Sequence, residues 1–130
     1  MKLFVDENLS PRLAKGLAGF FDGDHEVAYV VTKFDRRGVS NEEWIGVLGR
    51  EGGWCVLSGD RRIAKNRVQR DAFARAGLTG FFPAPALMKV PVERLGARIL
   101  ILWPKIEATA STIAGGCYEL GITGDRLKSL

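Results

Sequence analysis

Leu3-Phe4-Val5-Asp6-Glu7-Asn8-Leu9-Ser10-Pro11 holds a strand, a turn and a helix start within one short stretch. The apolar run from residue 2 to residue 5 closes on an acid. Ser10-Pro11 then supplies a capping hydroxyl followed by proline at the first helical position. Leu9, Leu13, Leu17 and Phe20 or Phe21 return at three-to-four spacing, which makes the inner face of that helix. A strand that ends in an acid and passes at once into an amphipathic helix is the first half of a βαβ unit.

The same grammar repeats outward from this stretch. His25 to Val31 is rich in β-branched residues and reads as a second strand, with Thr32 to Val39 as a loop. Ser40-Asn41-Glu42-Glu43 has the spacing of a capping box, and Trp44, Ile45 and Leu48 follow as a helical apolar face. That helix should end near Gly52-Gly53. Trp54 to Leu57 is a buried-strand candidate closed by Ser58-Gly59-Asp60. A basic helix follows to Gly77, and Leu78 to Phe82 forms a fourth strand. From Val92 to about Ile113 the pattern is helical, and Pro104 should kink or divide it. Cys117 to Leu120 could add an edge strand. The expected class is α/β: a parallel sheet of about four strands covered by helices on both faces. One domain spans residues 1–130, with a core over about 1–82 and a C-terminal helical extension over about 92–120.

The net charge of +4 is modest and unevenly placed. Between Arg61 and Arg75 lie six bases and one acid, so this segment exceeds the charge of the whole chain. Val68, Ala72 and Ala76 share one helical face, and Arg67 and Arg70 project from the other. This surface suits phosphate groups. A solvated helix back would look the same on charge alone. The longest apolar run, Ile99 to Trp103, is too short for a bilayer span, and the start, Met1 to Asp6, meets a charge too early for the hydrophobic region of a signal peptide. A cytoplasmic chain is expected, with Cys55 and Cys117 as reduced thiols. A Ser-His-Asp hydrolase is disfavoured because His25 is the only histidine and reads as a surface or turn residue.

Ligands of open parallel sheets gather outside the carboxyl ends of the strands, where strand order reverses. Asp6 follows strand one and Asp60 follows strand three, while Glu42 and Glu43 can approach from the second helix. Carboxylates crowded this way call for a compensating cation. Mg²⁺ or Mn²⁺, which takes oxygen ligands and keeps several waters, is the natural choice. Each acid alone also has a structural explanation, as a loop cap, a capping-box partner or a turn former.

Taken together, residues 3–11, His25-Glu26-Val27, Ser40 to Ile45 and Trp54 to Ile63 resemble the PIN-domain superfamily. The nearest likeness is the compact PIN-like branch found among toxins of VapBC-type toxin–antitoxin pairs. The resemblance implies a three-layer α/β/α domain with a Mg²⁺- or Mn²⁺-dependent pocket that hydrolyses RNA. It also implies Asp6, Glu43 and Asp60 as catalytic residues, with Glu42 and Asn41 as further candidate metal ligands. Asn8, Arg61, Lys65, Arg67 and Arg70 are the candidate substrate contacts. Relatives often carry aspartate where Asn41 stands and a further acid where Arg62 stands. A cognate antitoxin is the implied partner, and a second copy of the chain is another candidate. Two other functions fit the residues: a non-cleaving module that binds RNA or a protein through the basic helix, and a phosphoacceptor receiver-like domain using Asp60, with Lys105 as its lysine.

Overall fold

A computed structural model describes residues 1–130. Strands β1 (Lys2–Val5), β2 (Glu26–Tyr29), β3 (Trp54–Leu57), β4 (Thr79–Pro83), β5 (Cys117–Leu120) and β6 (Leu127–Ser129) form one sheet in the order β2-β1-β3-β4-β5-β6. All pairs are parallel except β5 with β6. The helices are α1 (Pro11–Phe20), α2 (Val30–Phe34), α3 (Asn41–Glu51), α4 (Arg62–Lys65), α5 (Arg67–Arg75) and α6 (Val92–Thr112), with a 3₁₀ turn at Leu87–Lys89.

Alternation along the strands builds two cores. Leu3, Val5, Cys55, Leu57 and Phe81 face one side, where α1 and α6 supply Leu13, Leu17, Leu95, Ile99 and Leu102. Phe4, Trp54, Val56 and Phe82 face the other, where Trp44, Ile45, Leu48, Ile63 and Phe73 come from α3, α4 and α5. The fold is thus three-layered α/β/α. Both thiols are buried and unpaired, and burial pushes Cys55 up to about 12. No helix is long and apolar enough to cross a membrane.

Several boundaries differ from the sequence reading. The sheet has six strands, because β5 lies inside it, paired with β4 and β6. The second strand stops at Tyr29, and the segment read as strand end and loop winds into α2. A β-branched run suits a strand, but Val30 is fully buried in the second core and the chain turns there. The basic helix is two helices, broken at Asn66, whose side-chain oxygen accepts from Gln69 N at 3.1 Å and caps α5. The break rotates Val68 into solvent at 74% exposure, and Phe73 becomes the buried anchor. Pro104 does not divide α6, which runs as one helix from Val92 to Thr112. It is exposed, so water can serve the carbonyl its ring leaves unpaired. Trp103 lies in the core. His25 is half-buried rather than superficial, accepting from Trp103 Nε1 at 3.2 Å.

Glycines on α3 separate packing from propensity. A Cβ on Gly49 would sit 2.8 Å from Ala76 Cβ, where α3 meets the end of α5, whereas one on Gly46 meets only the flexible end of Arg50. Gly49→Val should therefore destabilise by about 1–3 kcal/mol through overpacking. Gly46→Ala should stabilise by about 0.5–1 kcal/mol through helix propensity. Urea unfolding midpoints check both.

Candidate active site

Strand order reverses between β2 and β3, on either side of β1, so the switch point lies at the carboxyl ends of β1 and β3. Val5 pairs with Leu57, and Asp6 N extends the ladder by donating to Leu57 O at 3.0 Å. This register sets Asp6 beside Ser58. Ser58 Oγ donates to Asp6 Oδ2 at 2.8 Å and accepts from Asp60 N at 3.0 Å, so one hydroxyl joins the two acid-bearing loops. Asn8 Oδ1 accepts from Gly59 N at 2.9 Å and closes the same junction from outside. A Cβ on Gly59 would first meet the flexible end of Met88, 2.8 Å away at Cε, which is free to move aside.

The two acids are unequal. Asp6 is 6% exposed, and burial is the main cause that raises its pKa above the usual carboxylate range, with Asp60 and Glu7 adding to it. Bonds from Ser58 and from Glu7 N at 2.7 Å offset part of that rise. Asp60 is held at about 2, chiefly by Arg62 and secondarily by Asn41. Arg62 Nε donates to Asp60 Oδ1 at 2.9 Å and Arg62 Nη2 to Oδ2 at 2.7 Å. The backbone N–H of Arg62 adds a 3.1 Å bond to Oδ1.

The other candidates scatter. Asn41 Nδ2 donates to Asp60 Oδ2 at 3.0 Å and Gln69 Oε1 at 3.1 Å, while its oxygen accepts from the buried Trp44 indole at 3.1 Å. The indole can only donate and the carboxylate can only accept, which fixes this amide orientation. Glu43 N caps onto Ser40 Oγ at 3.1 Å, and its carboxylate is paired with Arg36. Glu42 is exposed on a cleft of about 300 Å³ that Asn41, Arg62 and Gln69 also line. No group of three His, Cys, Asp or Glu side chains is placed to hold a metal ion. Arg61 is engaged by Glu119 at 2.6 Å. Arg70 donates to the Ala64 and Leu130 carbonyls at 3.1 and 2.6 Å. Lys65 and Arg67 are exposed and form no ion pair.

A family model described as PIN like domain matches residues 1–84. The chain belongs to this PIN-like family. No curated protein and no solved structure matches it. Residues 1–84 run from β1 to the end of β4 and contain Asp6, Glu42, Glu43 and Asp60. Helix α6 and strands β5 and β6 lie beyond the matched range, although they complete the first core and the sheet.

PIN-like membership implies a divalent cation, and the donor set fits one in a limited form. Two carboxylates at neighbouring strand ends, one of them buried without a cation partner, suffice for a hydrated Mg²⁺ or Mn²⁺, which often takes one or two protein carboxylates. The receiver-like arrangement lacks its lysine. Lys105 lies within α6 and follows no strand, and Gly121-Ile122-Thr123 follow β5. The sequence reading passed over Ser58, Gln69 and the Arg62 clamp. The clamp had a local signal, because an aspartate commonly accepts from the backbone N–H two residues on.

The opposite shifts give opposite pH effects. Asp60 contributes stability above its unfolded value of about 3.9, and this is lost as pH falls towards about 2. Asp60→Asn should lower stability at pH 7 by on the order of 1 kcal/mol, kept small because Arg62 is 75% exposed. Asp6 has a raised value, so its ionisation weakens the fold as pH rises through the folded value. Asp6→Asn should be more stable than wild type at pH 7, the two converging in acid; thermal unfolding across pH checks both.

Proposed function

We propose that the chain is a Mg²⁺- or Mn²⁺-dependent endoribonuclease, acting as the toxin of a VapBC-type toxin–antitoxin pair. The observation that carries this reading is the junction of Asp6, Ser58 and Asp60 at the sheet's switch point, beside a basic helix pair whose Lys65 and Arg67 have no ion-pair partner. A bound divalent cation supplies Lewis-acid polarisation of the scissile phosphate. Asp6 and Asp60 hold it. Ser58 keeps Asp6 in one orientation, and Asn8 holds the two loops at fixed separation while leaving its own amide N–H groups free for substrate.

Lys65 and Arg67 bind backbone phosphates on the rim. Arg61 and Arg70 line a neighbouring cleft of about 370 Å³ with Lys65 and add positive potential there. Glu42, which lines the same cleft as Arg62, would have to move to join the pair, and Glu43 joins only if Arg36 releases it. Asn41 acts through Asp60, because its oxygen serves Trp44. A cytoplasmic location, an antitoxin partner and self-association belong to this reading.

A second reading is favoured by one observation: Arg62 occupies Asp60 and no third acid converges. On that reading the domain binds RNA without cutting it.

Incubation with single-stranded RNA and Mn²⁺ separates the two. Cleavage should stop with EDTA and fall at least about 100-fold in Asp6→Asn and in Asp60→Asn, beyond the usual cost of outer-shell changes. Because Asp6→Asn is expected to be the more stable protein, its inactivity cannot be assigned to unfolding. Intact RNA together with EDTA-insensitive binding establishes the second reading instead. In either case Lys65→Ala with Arg67→Ala should flatten the salt dependence of binding by about 0.7 in log–log slope per lost phosphate contact.

A further inference from the structure

Asp60 has no vacant acceptor site. A carboxylate offers about four lone-pair positions, and four donors fill them: Arg62 N and Nε on Oδ1, and Arg62 Nη2 and Asn41 Nδ2 on Oδ2. A cation can coordinate Asp60 only after one of these donors leaves. Asn41 is held on three sides, by Asp60, by Gln69 and by the fully buried Trp44. Arg62 is different. Its side chain is 75% exposed, Asp60 is the only group its guanidinium pairs with, and the cleft of about 300 Å³ beside it gives the fork room to swing.

We infer that Arg62 is a latch that keeps the metal ion off Asp60, and that a phosphate of bound RNA draws it away. A phosphodiester presents two oxygens to the same planar fork that the carboxylate now occupies, so Arg62 exchanges one bidentate partner for another. Asp60 is then left with two open lone pairs, one on each carboxylate oxygen. A dication and a guanidinium also repel at this distance, so the closed latch opposes metal entry by charge as well as by occupancy. Metal and RNA therefore bind with positive coupling, and the chain carries an open metal site only when substrate is present. This inference rests on the metal-dependent reading and adds to it the order in which the site assembles.

Mn²⁺ binding to the full chain, followed by electron paramagnetic resonance, tests the latch without reference to cleavage. Without RNA, Arg62→Gln should bind Mn²⁺ about tenfold more tightly than wild type, a coupling of ordinary size. Addition of a 2′-O-methyl RNA oligonucleotide, corrected for Mn²⁺ held by the oligonucleotide alone, should raise wild-type affinity by a similar factor and leave Arg62→Gln unchanged. The double variant Asp60→Asn/Arg62→Gln should show no gain over Asp60→Asn, which places the effect on Asp60. Equal affinity in wild type and Arg62→Gln, both weakened by Asp60→Asn, overturns the latch and leaves the metal reading standing. Loss of the oligonucleotide effect in wild type overturns the role of RNA in opening it. Absence of Mn²⁺ binding in every protein overturns latch and metal reading together.

Discussion

A carboxylate buried at a strand end has to be given donors, and the Asp6–Ser58 bond is where this chain does so. Asp6 cannot reach water freely, and its neighbours Glu7 and Asp60 are anionic. Ser58 meets the demand because parallel pairing of β1 with β3 puts position 58 directly alongside position 6. The same hydroxyl then accepts from Asp60 N, so satisfying one buried acid also aims the loop that carries the other. The junction leaves Asp6 above its ordinary pKa, a local cost that a well-packed sheet on both faces can sustain.

Several charges elsewhere are paired within the fold, and this sharpens what remains. Arg61 ties the start of α4 to Glu119 on β5, Arg36 holds Glu43, and Lys33 sits 3.0 Å from Glu51. These pairs brace loops and helix ends. With Arg62 on Asp60 and Arg70 on two carbonyls, what remains uncommitted on the basic segment is Lys65, Arg67 and Arg75, a smaller surface than six bases suggest. The surface is also broken in direction, because Asn66 ends one helix and begins the next between Lys65 and Arg67.

The departures from the sequence reading share a cause. Val27, Val30, Val31 and Thr32 give this stretch its strand-like look, but only residues 26–29 pair with β1, and the rest turns to bury Val30 in the second core. Cys117 to Leu120 is too short to announce its place in a sheet. It lies between β4 and β6 because α6 brings the chain back across the first core. Val68 fits a continuous helix on paper and loses its place once Asn66 resets the phase. In each case a local pattern was legible and a long-range contact decided between two local options.

The sequence by itself determined the alternation of strands and helices, the caps at Ser10 and Ser40, and the acids at the ends of β1 and β3. Periodicity, capping and turn chemistry act over a few residues and are written in neighbouring letters. Only the tertiary structure decided which acids meet. Asp6 and Asp60 converge through Ser58, while Glu43 goes to Arg36 and the Asn41 oxygen goes to Trp44. A polar side chain takes the strongest partner within reach, and what is within reach depends on strand register and helix placement across the chain.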